Sequence, residues 1–207
     1  MKKMLLVLSL LVLTASMAWA YPGPDGMGIY ADVTDTGPVE NCVTVPAFVA
    51  TNLYMCITNP SGASVLAWEA RITNNAPAGA MIGTWSMFGL DVDNDPDDFV
   101  VGNGAQPLVA NEQGVVVLGS MQLIVINAAA VIDFTITHIP GSVSFPGGTP
   151  GYVHTLGFNT PCYTATGGTA GPPYVYNPVF RVNGPNAGQC IVANEEASWS
   201  EIKSLYR

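Results

Sequence analysis

Charged side chains are scarce in this sequence, and basic ones are the scarcest. Asp, Glu, Lys and Arg make up 10% of the residues, against roughly 25% in an average soluble domain. Six Lys and Arg stand against fifteen Asp and Glu. Proteins bind nucleic acid and anionic membrane surfaces through basic patches, and a chain with so little positive charge does not form them. The charge balance therefore argues against both classes of partner, and we expect no nucleic-acid binding.

The sequence also lacks an apolar run long enough to span a membrane. A transmembrane helix needs about 20 consecutive apolar residues. Residues 115–132 come nearest, but polar or small residues interrupt them at Gly119, Ser120, Gln122 and Asn127. Because β-branched residues dominate the stretch, it predicts two central strands joined at residues 127–130. We expect no membrane span in the mature chain.

The first twenty residues have the pattern of a secretory signal peptide. Lys2 and Lys3 precede a short apolar run over residues 4–13, and small residues occupy positions 18 and 20. This arrangement predicts cleavage after Ala20. We therefore expect a secreted protein in the extracellular space, the periplasm or at the cell surface. Without the two leader lysines, four basic residues remain against fifteen acids, a net charge of −11.

Four cysteines in an exported chain predict two disulfide bonds. Three pairings are possible, and we favour Cys42–Cys56 and Cys162–Cys190 because each pair is local in sequence and encloses a plausible hairpin or loop. The sequence contains no CxxC motif, and neither histidine lies near a cysteine at a recurring ligand spacing. A zinc site is therefore disfavoured.

Apolar and polar residues alternate repeatedly along the chain, which predicts half-buried β-strands. The clearest examples are residues 28–33, 51–58, 64–72 and 131–138. Many short strands separated by Gly and Pro are typical of an antiparallel β-sandwich of the Ig-like or jelly-roll-like kind. We expect one such domain over residues 21–193.

Residues 194–207 differ in pattern from the rest of the chain. Trp199, Ile202 and Tyr206 are spaced i, i+3, i+7, which places them on one face of a helix. Ser198 and Glu201 have the spacing of a capping box. The sequence therefore predicts a short C-terminal amphipathic helix, which either docks on the sandwich or serves as a recognition tag for export or attachment.

The ending SWSEIKSLYR resembles the W-x-x-[IV]-K-x-[LM]-Y-R endings of uncharacterised secreted bacterial β-rich proteins. The segments MGIYADVTDTGPVENC and LYMCITNPSGASVLAWEARI are similar to the same group. The group has no known activity, so the resemblance implies only export and a β-rich fold. Its pattern often has Cys where this chain has Ala70, which favours Cys56 as the partner of Cys42.

An acid-rich segment, GLDVDNDPDDFVVG over residues 89–102, places five of the fifteen acids in eight positions. The candidate calcium ligands are Asp91, Asp93, Asp95 and Asp97, which have the spacing of the first ligands of a calcium loop. An EF-hand is excluded, because Pro and Gly stand at the positions that need Gly and Glu. Two interpretations stay open: an irregular calcium loop, or a solvated turn in which Asp, Asn and Pro favour a bend. The sequence suggests no cofactor other than calcium.

The sequence assembles no catalytic constellation. His138 and His154 are isolated, and Ser120 lacks the second Gly of a nucleophile elbow. Glu69 and Asp133 are candidates for a glycosidic acid–base pair, but any fifteen acids contain such pairs. We expect a protein that is not an enzyme.

Two tyrosines, Tyr174 and Tyr176, lie in the Pro-flanked segment PPYVYNP. They either present flat rings to a sugar or hold their own loop against the sheet. We expect a non-catalytic structural or adhesion module of the cell surface or extracellular space, whose partner is a second copy or a surface matrix. A carbohydrate-binding module is the alternative, and a secreted hydrolase comes third.

Overall fold

The structure, a computed structural model, describes residues 24–33, 41–104, 106–154, 157–164, 168–169 and 175–184. The signal segment (residues 1–20), the tail (residues 194–207), Tyr174 and Cys190 lie outside the described residues. The predictions that concern them are therefore not tested by the fold.

The described residues form two main β-sheets and one small pair of strands. The first sheet has the order β13 (Tyr163–Thr164), β1 (Gly26–Tyr30), β3 (Ala50–Thr58), β9 (Val115–Val125), β5 (Met81–Ile82), with β6 (Trp85–Met87) also pairing with β9. The second sheet has the order β12 (Asn159–Pro161), β11 (Gly151–His154), β4 (Val65–Asn74), β10 (Ile132–Thr137), β16 (Phe180–Val182), β2 (Cys42–Val43). In addition, β8 (Asp98–Gly102) pairs with β4, and β7 (Leu90–Asp91) pairs with β8. The small pair is β14 (Gly168–Thr169) with β15 (Val175–Tyr176).

The core lies between the two main sheets, as the alternating pattern predicts. The apolar residues at alternate positions of β3, β4 and β10 are buried together: Leu53, Met55, Ile57, Trp68, Ala70, Ile72, Ile132, Phe134 and Ile136. Trp68 stacks on Phe99 with ring centroids 6.4 Å apart. Because successive side chains of a strand point to opposite faces, the residues between them lie on the outer faces of the sheets.

The predicted all-β sandwich is confirmed, with one correction. Most strand pairs are antiparallel, but β1 pairs with β13, and β16 with β2, in parallel. Each parallel pair joins segments more than a hundred residues apart in sequence, and long connections allow neighbouring strands to run in the same direction. The two strands predicted in residues 115–132 and beyond exist as β9 and β10, but they belong to different sheets. No helix occurs among the described residues, and none there is long and apolar enough to cross a membrane.

Candidate functional site

One side of the sandwich is an open edge formed by residues 85–92. Within the described residues, β6 pairs only with β9, and β7 pairs only with β8. The chain leaves the first sheet after Phe88, whose N–H donates to the Leu118 carbonyl at 2.8 Å. It enters the second sheet before Val92, whose N–H donates to the Val100 carbonyl at 3.0 Å.

The crossing between the sheets depends on Gly89. Its φ is 126°, a backbone conformation that L side chains rarely adopt. A Cβ at this position would lie 2.7 Å from Val101 Cγ1 and 2.8 Å from the Gly102 carbonyl oxygen. Glycine is therefore required both by the backbone angle and by the lack of space.

Three large apolar side chains are exposed along this edge. Phe88, Leu90 and Val92, called here the edge strip, are 46%, 70% and 62% exposed. Leu90 and Val92 are two residues apart beside β8, which places them on one side of the extended chain, and Phe88 precedes the crossing at Gly89. Leu90 lies opposite Gly102, where the missing side chain leaves open space. The strip is an unpaired sheet edge with apolar side chains, which is the kind of surface that binds another chain.

The acid-rich segment continues directly from the edge strip. The Asp91 carboxylate accepts N–H bonds from Asp93 at 3.2 Å and from Val100 at 3.1 Å. Asp93 accepts from the N–H of Asp95 at 2.8 Å, and Asp95 from that of Asp97 at 3.0 Å. The four carboxylates predicted to bind calcium thus lie in a series of short turns. Asp91, Asp93 and Asp95 each accept a hydrogen bond from the backbone N–H of the residue two positions later in the chain.

Arg71 neutralises part of this acidic loop. Its guanidinium forms a two-point ion pair with Asp98, with Nη2 2.7 Å from Oδ2, and its Nη2 also lies 3.5 Å from the Asp95 carboxylate. The hydrogen bond to Asp98 raises the pKa of Arg71. The other three acids of the loop, Asp91, Asp93 and Asp97, form no ion pair within the described part of the chain. The loop therefore keeps an excess of negative charge.

Calcium binding stays a prediction. Among the residues that the structure describes, no group of three or more His, Cys, Asp or Glu side chains is placed to hold a metal ion. The four candidate ligands follow one another along the loop, and their bonds to backbone N–H groups explain the segment as a turn. A calcium loop would need these carboxylates to converge on one point.

The two local disulfide pairs predicted from the sequence are wrong. Cys56 and Cys162 are buried free thiols, whereas Cys42 is disulfide-bonded. Cys56 lies on β3 of the first sheet, in a small outer cluster with Tyr30 and Val115, while Cys42 lies on β2 in the second sheet. Burial raises the pKa of both free thiols well above the usual range, so neither is a reactive thiolate.

A buried polar network, which the sequence did not indicate, ties the turn before β1 and the loop between β3 and β4 to strand β11. The Tyr152 hydroxyl donates to the Asp25 carboxylate at 2.6 Å and accepts from the Gly62 N–H at 3.0 Å. The same carboxylate oxygen accepts from the N–H and the hydroxyl of Ser61 at 2.7 and 3.0 Å. Burial and the bond to Asp25 raise the pKa of Tyr152. Asp25 and Tyr152 are buried and bonded to protein groups, so the network stabilises the fold.

The remaining candidate residues are not brought together. The Tyr176 hydroxyl donates to the Gly148 carbonyl and lies 2.8 Å from His138 Nδ1, so the ring holds its loop against the sheet. Glu69 lies opposite Gly151 and Val100, whereas Asp133 is paired with Arg181 at 2.6 Å. Asp133 pairs with Asn75, the residue that follows β4. Glu69 lies on β4 six positions before Asn75, which corresponds to about 20 Å along a strand. Glycosidic acid–base pairs are about 5–9.5 Å apart, so these two carboxylates do not form one.

Comparison with known proteins finds solved structures with a similar fold and no similar sequence. No family model matches the chain, and no curated protein matches it. Among solved structures, a type II cohesin domain from the cellulosome of Acetivibrio cellulolyticus is similar with a TM-score of 0.44 and 10% identity, covering 76% of this chain and 95% of that chain. A type II cohesin–X-dockerin complex with a mutated N-terminal interface, from the same organism, is similar with a TM-score of 0.36 and 10% identity, covering 67% and 93%. What those proteins bind is a property of those proteins.

Proposed function

We propose that this protein is a non-catalytic, secreted structural or adhesion module of the cell surface or extracellular space. The observation that carries the proposal is the edge strip. An open sheet edge with Leu90 and Val92 more than half exposed is a hazard for a soluble protein unless a partner binds there. Export is expected from the signal-peptide pattern in residues 1–20.

Two further features support a function in surface binding and not in catalysis. The only two cationic side chains among the described residues, Arg71 and Arg181, are each held in ion pairs with neighbouring aspartates. The buried thiols and the Asp25–Tyr152 network are closed off from solvent. The edge strip exposes apolar side chains next to a side of β7 that no described strand pairs with, which is a kind of surface that binds a partner.

The proposal is tested by measuring attachment of the labelled secreted chain to the producing cells. We expect Leu90→Ser with Val92→Ser to reduce the cell-bound fraction about tenfold, because two exposed apolar side chains leave the contact. Val143→Ser is the matched control, since Val143 is 92% exposed and lies in the loop between β10 and β11. Equal attachment of all three proteins would contradict a role for the edge, and turnover of a polymer substrate would contradict the non-catalytic assignment.

The carbohydrate-binding alternative receives no separate support. Tyr176 uses its hydroxyl to hold the loop at Gly148, and Tyr174 lies outside the described residues. We therefore keep a single proposed function.

A further inference from the structure

We propose that the edge strip of one copy binds residues 194–207 of a second copy, so that the chains associate head to tail. The inference rests on the proposed function, because it names the partner of the same edge. It follows from three observations: no described residue covers the edge, the edge is flanked by excess negative charge, and the two basic residues of the mature chain that lie outside the described part are in one segment.

The edge is open in the single chain. Leu90 is 70% and Val92 62% exposed, and no other described strand pairs with β7 on the side away from β8. Nothing among the described residues covers the edge, and the proposed adhesive role needs an occupant from another molecule. The occupant has to supply apolar side chains, because three of them line the edge.

The negative charge next to the edge strip favours one kind of binding partner. The loop from Asp91 to Asp98 carries five acids, and among the described residues Arg71 pairs with two of them, Asp95 and Asp98. Two copies that paired edge to edge would bring two such loops together, and like charges at close range repel. The favoured occupant is therefore a segment in which basic and apolar residues are combined.

Only one segment of the mature chain has that composition. Of its four basic residues, Arg71 and Arg181 are already held in ion pairs of the fold. The other two, Lys203 and Arg207, lie in the tail beside Ile202 and Tyr206. The apolar stripe predicted for the tail fits the edge strip, and the two basic residues fit the acidic loop.

A head-to-tail contact is heterologous, since it joins two different surfaces. Each pair of chains still has one unoccupied edge strip and one unbound tail, so further copies can bind at both ends. This arrangement gives an extended assembly, which suits a structural or adhesion module.

The test uses light scattering on the full secreted chain over a range of concentrations. The edge variant carries Leu90→Ser and Val92→Ser, and the tail variant carries Lys203→Glu and Arg207→Glu. We expect the unmodified chain to associate with increasing concentration, and each variant to associate about tenfold more weakly. Val143→Ser should behave like the unmodified chain, and salt should weaken association because it screens the charge contacts.

Mixing the two variants gives the decisive result. The intact tail of the edge variant should bind the intact edge of the tail variant, so the mixture should form a one-to-one dimer that does not grow. Association of the tail variant alone would overturn the proposal in favour of edge-to-edge pairing. A monomeric mixture, or an unmodified chain that stays monomeric, would overturn it as well. If the edge variant loses cell attachment while no protein self-associates, the proposed function stands and only the head-to-tail partner is wrong.

Discussion

Replacing Tyr152 by Phe removes one hydroxyl from the buried network and leaves the ring in place. The hydroxyl makes two bonds: it donates to the Asp25 carboxylate at 2.6 Å and accepts from the Gly62 N–H at 3.0 Å. Tyr152 has no exposed surface, so water does not replace the lost partner. The carboxylate keeps its two bonds from Ser61, whereas the Gly62 N–H loses the hydroxyl that accepts its hydrogen bond.

The expected cost follows from these two losses. A hydrogen bond to a charged group contributes about 1.5–3 kcal/mol, and a buried donor left without a partner costs about 1–3 kcal/mol. Because the carboxylate stays partly satisfied, we expect about 3 kcal/mol in total. For a domain of this size, each kcal/mol lowers the melting temperature by roughly 2–4 °C, so Tyr152→Phe should lower it by about 6–12 °C.

Thermal unfolding followed by circular dichroism measures this shift. Tyr54→Phe is the control, because Tyr54 is half-buried on the outer face of the first sheet, and a change there should stay within about 0.5 kcal/mol. If Tyr152→Phe lowers the melting temperature no more than the control does, the network contributes nothing to stability and the reasoning from burial fails.

Four further predictions can be checked on the same protein. Gly89→Ala should destabilise the fold by about 2–4 kcal/mol in urea unfolding, because the substitution is strained at this φ and has no space; an unchanged midpoint would mean that the crossing adapts. Peptide mapping should find Cys42 linked to Cys190, the one remaining cysteine that is not a buried free thiol, with two thiols reacting only after unfolding; a link between Cys42 and Cys56 would restore the local pairing. If Asp91, Asp93, Asp95 and Asp97 bind calcium, millimolar calcium should raise the melting temperature by a few degrees more than magnesium does, and Asp93→Asn should weaken the difference; equal effects of the two ions would leave only charge screening. The free energy of unfolding should fall as pH rises above about 9, because the two buried thiols and the two buried tyrosines keep raised pKa values only in the folded state; a flat profile to pH 11 would contradict their burial.

The sandwich was predictable because burial leaves a period of two in the sequence. In β3 and β10 every second residue is apolar, and those residues are the ones in the core. Strand order was not predictable from such a pattern, since alternation shows that a strand has a wet face but not which strand lies beside it. The parallel pairs at the edges depend on contacts between segments more than a hundred residues apart.

The site was less predictable, because its signals are local and ambiguous. Five acids in eight positions mark the loop that borders the edge strip. The same spacing, however, suits both a calcium loop and a series of turns in which side chains accept backbone N–H bonds. The edge strip was missed although Phe88, Leu90 and Val92 alternate with Gly and Asp. Alternation alone does not show whether an apolar face is turned to the core or to solvent. The disulfide prediction failed for a related reason: closeness in sequence says nothing about which face of a strand a cysteine occupies.

The acidic loop lies directly beside the apolar edge. Proteins protect open edges with charges placed beside them, and here a third of all the acids lies within eight residues of one edge. Since charge is scarce elsewhere, this concentration has a local effect that a uniformly charged surface would not give. The acids that keep two identical edges apart also attract a segment of opposite charge, so one feature both prevents wrong pairing and selects the right partner. Neutralising them separates the two effects. In a chain with Asp93→Asn and Asp97→Asn, we expect the edge to bind an intact tail more weakly. When the same chain also carries Lys203→Glu and Arg207→Glu, we expect stronger concentration-dependent association, because edge-to-edge pairing is no longer repelled. Should both kinds of association weaken together, the acids would act only on the tail, and the protective role would be wrong.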